Sequence, residues 1–175
     1  MKPIHVQIFL VLLSVCSGKV EARIGESIEQ CIARYGEPEK RYSLPDNKEE
    51  IQFHTNAFTI SAEFLNGVCD WISYTKPKKK AFWSKKEEWQ HLTDGEIGVL
   101  MEANSNGKPW ERFSGEDCWY RTDDYDLEAR YFKDLRILTI SSKISRDRHL
   151  HEAYEYSGKY RSNEIEKAKT QMDGF

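Results

Sequence analysis

The chain has 175 residues, with 26 lysines and arginines against 29 aspartates and glutamates, for a formal charge of −3. A mildly acidic balance gives no whole-protein field for nucleic acid, and the length suits about one domain that can bury its own core. No glycine-rich phosphate loop, His-Glu-x-x-His or Gly-x-Ser-x-Gly motif occurs, so no cofactor is implied and local catalytic signatures are missing.

Residues 1–22 have the form of a signal peptide. Lys2 precedes the apolar stretch Val6 to Cys16, and Val20-Glu21-Ala22 supplies a cleavage site near Ala22. An apolar stretch of that length is too short for a bilayer, which takes about 20 residues. The chain is therefore expected to be exported, periplasmic or secreted. A lipid anchor at Cys16 is disfavoured, because Val15 stands where a small residue belongs. Cys31, Cys69 and Cys118 remain after cleavage. An oxidising compartment allows one disulfide among them in three pairings, of which Cys31 with Cys69 closes a loop within the first half; three buried, reduced thiols are the alternative.

Ser27-x-x-Gln30 is a capping box, and Ile28, Cys31, Ile32 and Tyr35 follow at helical spacing until Gly36-x-Pro38 stops the helix. The period then changes to alternation. Phe58, Ile60, Ala62 and Phe64 point one way, Asn66-Gly67 turns the chain, and Cys69 to Tyr74 returns; Tyr42 and Ile51 to Phe53 suggest two further strands. Between residues 76 and 91 lies a lysine-rich linker in which Ser84 and Glu87 could cap a short helix. Thr93-x-x-Glu96 is a second capping box, its helix runs into Gly107-x-Pro109, and strand-like runs follow at Trp110–Phe113, Cys118–Arg121, Leu127–Phe132 and Ile137–Ser142.

A helix, a Gly-x-Pro and a set of strands thus occur twice, which predicts an α+β fold built as a tandem repeat. The domain spans 23–144, with halves at about 24–75 and 92–142. Its antiparallel sheet should have about seven or eight strands, with both helices on one face and the other face partly open. The charged tail, 145–175, reads as helical or disordered.

The segment Gly25-x-Ser27-x-x-Gln30 to Tyr35-Gly36-x-Pro38, followed by Gly67-Val68-x-x-Trp71-Ile72-x-Tyr74, resembles a half-unit of the beta-lactamase-inhibitory-protein-like fold. It is similar also to the small lipoproteins of the outer-membrane barrel-assembly machinery. The resemblance covers roughly residues 24–142 in element order. It implies a concave sheet that binds proteins without catalysis, and it carries over no individual residue role.

Candidate contact residues follow from hot-spot chemistry, which favours tryptophan, tyrosine and arginine. Trp119, Tyr120, Arg121, Arg130 and Tyr131 fall on neighbouring strands, although core packing is the competing role for the aromatics. Lys78, Lys79 and Lys80 with Trp83 belong to the cationic stretch Lys76–Lys86, which could make weak contact with an anionic surface or serve only as a solvated linker. His149-x-His151-Glu152 could hold a metal only off a helix, because residues two apart on a helix diverge. The expected function is an exported, non-catalytic module that binds another envelope or secreted protein through the open sheet face. The alternative is a small-ligand carrier or enzyme whose site is assembled from separate strands.

Overall fold

The computed structural model describes residues 23–80, 87–113, 118–121 and 126–172. The signal segment and Trp83 lie outside these residues, as do the side chains of Lys80, Tyr120 and Arg121.

Helix α1 (Ile28–Tyr35) starts where the capping box places it. The Ser27 hydroxyl accepts from the Gln30 amide at 3.3 Å, and the Gln30 side-chain oxygen accepts from the Ser27 amide at 2.8 Å. The helix buries Ile28, Cys31 and Tyr35 and ends at Gly36, whose φ of 86° is open to glycine without strain. A four-strand meander follows: β1 (Lys40–Leu44), β2 (Lys48–His54), β3 (Thr59–Leu65) and β4 (Val68–Thr75). Asn66 and Gly67, at φ 52° and 79°, form the two-residue turn between β3 and β4.

The linker departs from expectation. Ser84 lies outside the described residues, and at Glu87, the other end of the expected cap, the chain is a strand: Lys79–Lys80 (β5) and Glu87–Glu88 (β6) form a small antiparallel ladder, in which Lys79 pairs with Glu88 and Lys80 with Glu87. Opposite charges directly across a ladder favour this pairing. Helix α2 (Asp94–Asn104) then begins at a second capping box, formed by Thr93 and Glu96. A second meander follows: β7 (Trp110–Arg112), β8 (Cys118–Arg121), β9 (Leu127–Phe132) and β10 (Ile137–Ser142).

Both meanders join one eight-stranded antiparallel sheet in the order β1-β2-β3-β4-β10-β9-β8-β7. The last strands of the two halves pair with each other at the centre, Ile140 opposite Ile72. Alternation sends Ile51, Phe53, Ile60, Ala62, Phe64, Ile72, Tyr74, Leu138, Ile140 and Ala129 into one core with α1 and α2. Buried Asn104 ties the halves together: it accepts from the Ile24 amide at 3.0 Å and donates to the Tyr74 hydroxyl at 3.4 Å.

The tail takes the helical of its two expected forms and covers part of the face expected to be partly open. Lys143–Met172 is a single helix, α3, and its first turns lie across the face opposite α1 and α2. Arg146 approaches Glu128 of β9, Arg148 holds Asp70 of β4 and Glu63 of β3, and Lys48 of β2 meets Glu152 at 2.6 Å. From Lys143 to Glu152 the helix rises about 14 Å, which matches three strand spacings of about 4.8 Å from β10 through β4 and β3 to β2.

Cys31, Cys69 and Cys118 are buried, and Cys31 and Cys69 stand as separate thiols, the second of the two alternatives that the sequence left open. Burial pushes the Cys31 thiol up to about 12 and the Cys69 thiol well above its ordinary range.

Candidate functional site

Strand alternation splits the candidate contact residues between two clefts on opposite faces. On β9, Leu127, Ala129 and Tyr131 turn toward α2, while Glu128, Arg130 and Phe132 turn toward α3. Adjacent Arg130 and Tyr131 therefore serve different surfaces. Trp119 pairs with Ala129 in register and shares the α2 side with Tyr131. Tyr120 pairs with Glu128 and Arg121 with Trp110, their side chains lying outside the described residues.

The first cleft, of about 460 Å³, lies where α3 meets β4, β10 and β9. Trp71, Arg130, Phe132 and Ser141 come from the strands, and Arg146, His149 and Leu150 from the helix. The Arg130 guanidinium lies 5.9 Å from the Phe132 ring centre, and the His149 ring meets Trp71 edge-on at 6.2 Å. Glu128 stands between the two arginines of this cleft, 3.5 Å from Arg130 and 3.8 Å from Arg146.

Beside the cleft, four charged groups fix the helix to the sheet. Arg148 takes both oxygens of Asp70 and also reaches Glu63, while His149 Nε2 lies 3.1 Å from Glu63 Oε2. The Asp70 carboxylate raises the Arg148 pKa, and the hydrogen bond to Glu63 raises that of His149. Burial alone would raise the Glu63 pKa, but His149 and Arg148 together bring it below the ordinary carboxylate value. Ser141 and His149 line the same cleft, yet no hydrogen bond joins them, and the imidazole is held by Glu63. The pairing of nucleophile and base that covalent catalysis needs is not assembled by these two residues.

The second cleft, of about 580 Å³, lies between α2 and β7, β8 and β9. Ile97, Met101 and Tyr131 are buried at its base, Trp110 and Trp119 are half-buried, and Asp94, Glu102, Arg112 and Lys133 stand at its margin. The Trp110 indole donates to the Met101 carbonyl at 3.0 Å, which fixes its ring, and the Arg112 guanidinium lies 5.7 Å from the Trp119 ring centre. Behind the floor, the Tyr131 hydroxyl contacts His91 Nδ1 at 3.2 Å, and Arg136 donates to His91 Nε2 at 3.2 Å.

Among the described linker lysines, Lys76 and Lys78 are engaged within the chain. Lys76 pairs with Glu96 at 2.8 Å, Lys78 stands 4.9 Å over the Trp89 ring, and Lys79 faces Glu88 across the ladder. His149 and His151 turn to different partners, Glu63 and Glu155, as their helical spacing requires. Among the described residues, no cluster of three potential metal ligands forms.

Sequence reasoning missed the contacts of α3 and the part that Met101, Arg112 and Lys133 play in the second cleft. The Arg148–Asp70 and His149–Glu63 pairs span 78 and 86 residues. No hydrophobic stripe on α3 announces its docking, because the contacts are ionic. Only the clustering of arginine and histidine at 146–149 gave a local signal.

No family model matches this chain, and no curated protein matches it. Among solved structures it is similar to a cysteine-rich secretory protein from Staphylococcus aureus, at 14% identity and a TM-score of 0.39, over 70% of this chain and 45% of that one. It is also similar to an extracellular protein containing an SCP domain from Bacillus anthracis, at 11% identity and a TM-score of 0.38, over 69% and 44% of the two chains. The chain thus spans less than half the length of either protein. No helix among the described residues is long and apolar enough to cross a membrane.

Proposed function

We propose that this chain is an exported, non-catalytic module that binds another envelope or secreted protein through the cleft between α3 and the sheet. The observation that carries this reading is the meeting of Trp71, Arg130, Phe132, Arg146 and His149 in one partly exposed concavity. Tryptophan and arginine in a half-desolvated pocket are the residue types that concentrate binding energy. Leu150 and Tyr154, one helical turn apart and both exposed, extend the apolar surface along α3.

The organisation behind this surface is read as a tandem repeat. Each half supplies one capped helix and one four-strand meander, and the sheet order is symmetric about the β4–β10 pair. That order supports the resemblance to the beta-lactamase-inhibitory-protein-like fold, with the difference that α3 here crosses the sheet face. The alternative of a small-ligand carrier keeps a specific observation in its favour, the cleft beside α2.

Affinity capture from envelope and secreted fractions, at low and high salt, tests the reading with Arg130→Glu and Phe132→Ala beside the unchanged protein. One protein retained by the unchanged chain and lost from both variants is the expected result. Retention of the same proteins by all three would overturn it.

A further inference from the structure

The eight-stranded sheet ends at two edges that are finished differently. Edge strand β7 has 3 residues, too short to offer much to an added strand. Edge strand β1 has 5, Lys40 to Leu44, and all of them are exposed, Tyr42 and Leu44 included. The outer side of such a strand presents backbone donors and acceptors that another extended chain can pair.

Helix α3 runs out over this edge. Arg146 reaches Glu128 of β9, Arg148 holds Asp70 of β4, His149 meets Glu63 of β3 and Glu152 meets Lys48 of β2. Lys48 pairs in register with Leu44, so the same line leaves the sheet above the Leu44 end of β1. The helix continues to Met172, about 30 Å beyond Glu152. Allowing about 4.8 Å for β1, about 25 Å projects past the edge, the width of about five strands. Tyr156 stands one turn after Glu152, on the stripe that faces the sheet, and is 73% exposed. Helices in proteins owe most of their stability to packing, and these outer turns extend beyond the sheet that packs the first ones.

The surface that fits them is the remainder of the same face in a second copy of the chain. In an antiparallel pair of β1 strands centred on Tyr42, Lys40 faces Leu44 and Arg41 faces Ser43. No like charges are then opposed, and Arg41 is already held by Glu49 at 2.6 Å. The two-fold axis of such a pair stands perpendicular to the sheet, which keeps both α3 helices on one side. Each helix leaves its own sheet over Leu44 and enters the other copy over Lys40. From Lys40 the register places Gln52, Ser61, Ser73 and Thr139 in one row across β2, β3, β4 and β10. That row spans five strands, as the projecting helix does, and its serines and threonine are short enough for a helix to lie close. The resident α3 does not block it. On β1, Leu44 and Lys40 are about 13 Å apart, which accommodates two helices of about 10–12 Å diameter side by side.

We propose that this chain forms a symmetric dimer, in which two β1 strands join the sheets and the outer part of each α3 covers the row from Lys40 to Thr139 in the other copy. Sedimentation equilibrium of protein beginning at Arg23, which contains every described element, should show a reversible monomer–dimer equilibrium between about 1 µM and about 1 mM. Tyr42→Lys sets two ammonium groups opposite each other at the centre of the new strand pair, and Ser162→Pro breaks α3 outside its own sheet. Each should weaken the dimer about tenfold or more, while the urea midpoint of dilute, monomeric protein stays unchanged. Hydrogen exchange within minutes, which reads local opening, should slow with rising protein concentration in β1 and in residues 157–172. Protein that stays monomeric up to about 1 mM would overturn the proposal. So would a dimer that both variants form as readily as the unchanged protein, or one whose concentration-dependent protection falls only in other segments.

Discussion

Arg148 of α3 grips Asp70 of β4 with two hydrogen bonds, Nη1 to Oδ2 at 2.5 Å and Nη2 to Oδ1 at 3.2 Å. Asp70 is available because the register slips beside it: Glu63 pairs with Trp71 and Phe64 with Cys69, so Asp70 is the extra residue of a bulge. In a regular strand Cys69 and Trp71, two residues apart, would share a face; because Asp70 is bulged, Cys69 enters the core and Trp71 looks toward α3. Arg148→Met would leave the Asp70 carboxylate, 11% exposed, without its cation. The expected cost is about 3 kcal/mol, read as a lowered urea midpoint. Adding Asp70→Asn should recover part of that loss. A single variant as stable as the unchanged protein would show that α3 does not depend on this pair.

Acidity should act on the same junction through His149 and Glu63. Protonated His149 faces Glu63, with Arg148 and Glu152 as the other charged neighbours. Its folded pKa is raised above 6.5, so its stabilising effect is complete below that value and is lost as pH rises through the folded pKa. The Glu63 pKa is lowered from 4.5, so its effect is complete above that value and is lost as pH falls through the folded pKa. The window of greatest α3 docking therefore lies between 4.5 and 6.5. Unfolding midpoints should fall more between pH 5.5 and 8.5 for the unchanged protein than for His149→Ala. Equal falls in both proteins would remove His149 from the account.

Local chemistry made much of this fold readable before the structure. Both capping boxes start their helices, Asn66-Gly67 makes its turn, and the strands β7 to β10 lie where alternation placed them. These are short-range signals, set by hydrogen bonds within four residues or by period-two burial. The position of α3 was not readable, because helix docking normally shows as an apolar stripe and this helix docks through ions. The candidate site was half legible for a related reason. Trp119, Arg130 and Tyr131 do line clefts, but sequence proximity suggested one surface where alternation makes two.

The second helix offers a measure of how far a local signal carries energy. The Thr93 hydroxyl accepts from the Glu96 amide at 3.2 Å, and the Glu96 carboxylate accepts from the Thr93 amide at 2.7 Å. Thr93→Ala removes one acceptor from the first turn and should destabilise the protein by about 1 kcal/mol. Thr93→Ser should restore nearly all of it. Chemical denaturation of the three proteins checks this, and no loss in the alanine variant would mean that packing of Ile97 and Leu100 alone holds the helix start.

The thiols give the last prediction, because their burial and their redox state make different demands. Cys31, Cys69 and Cys118 are 0%, 1% and 1% exposed. Burial is the main cause of the raised pKa of Cys31, and the nearby Glu26 carboxylate adds to it by opposing a thiolate, while Arg34 partly offsets that effect. The thiolate is the reactive form, so a neutral, enclosed thiol should resist a disulfide reagent. Protein beginning at Arg23 should therefore react very slowly with such a reagent while folded and should release all three thiols on denaturation. A denatured count of one thiol, restored to three by prior reduction, would show that two cysteines had joined. In that case Cys31→Ala and Cys69→Ala, examined separately, would identify the pair, since loss of either partner in a native bond frees the other.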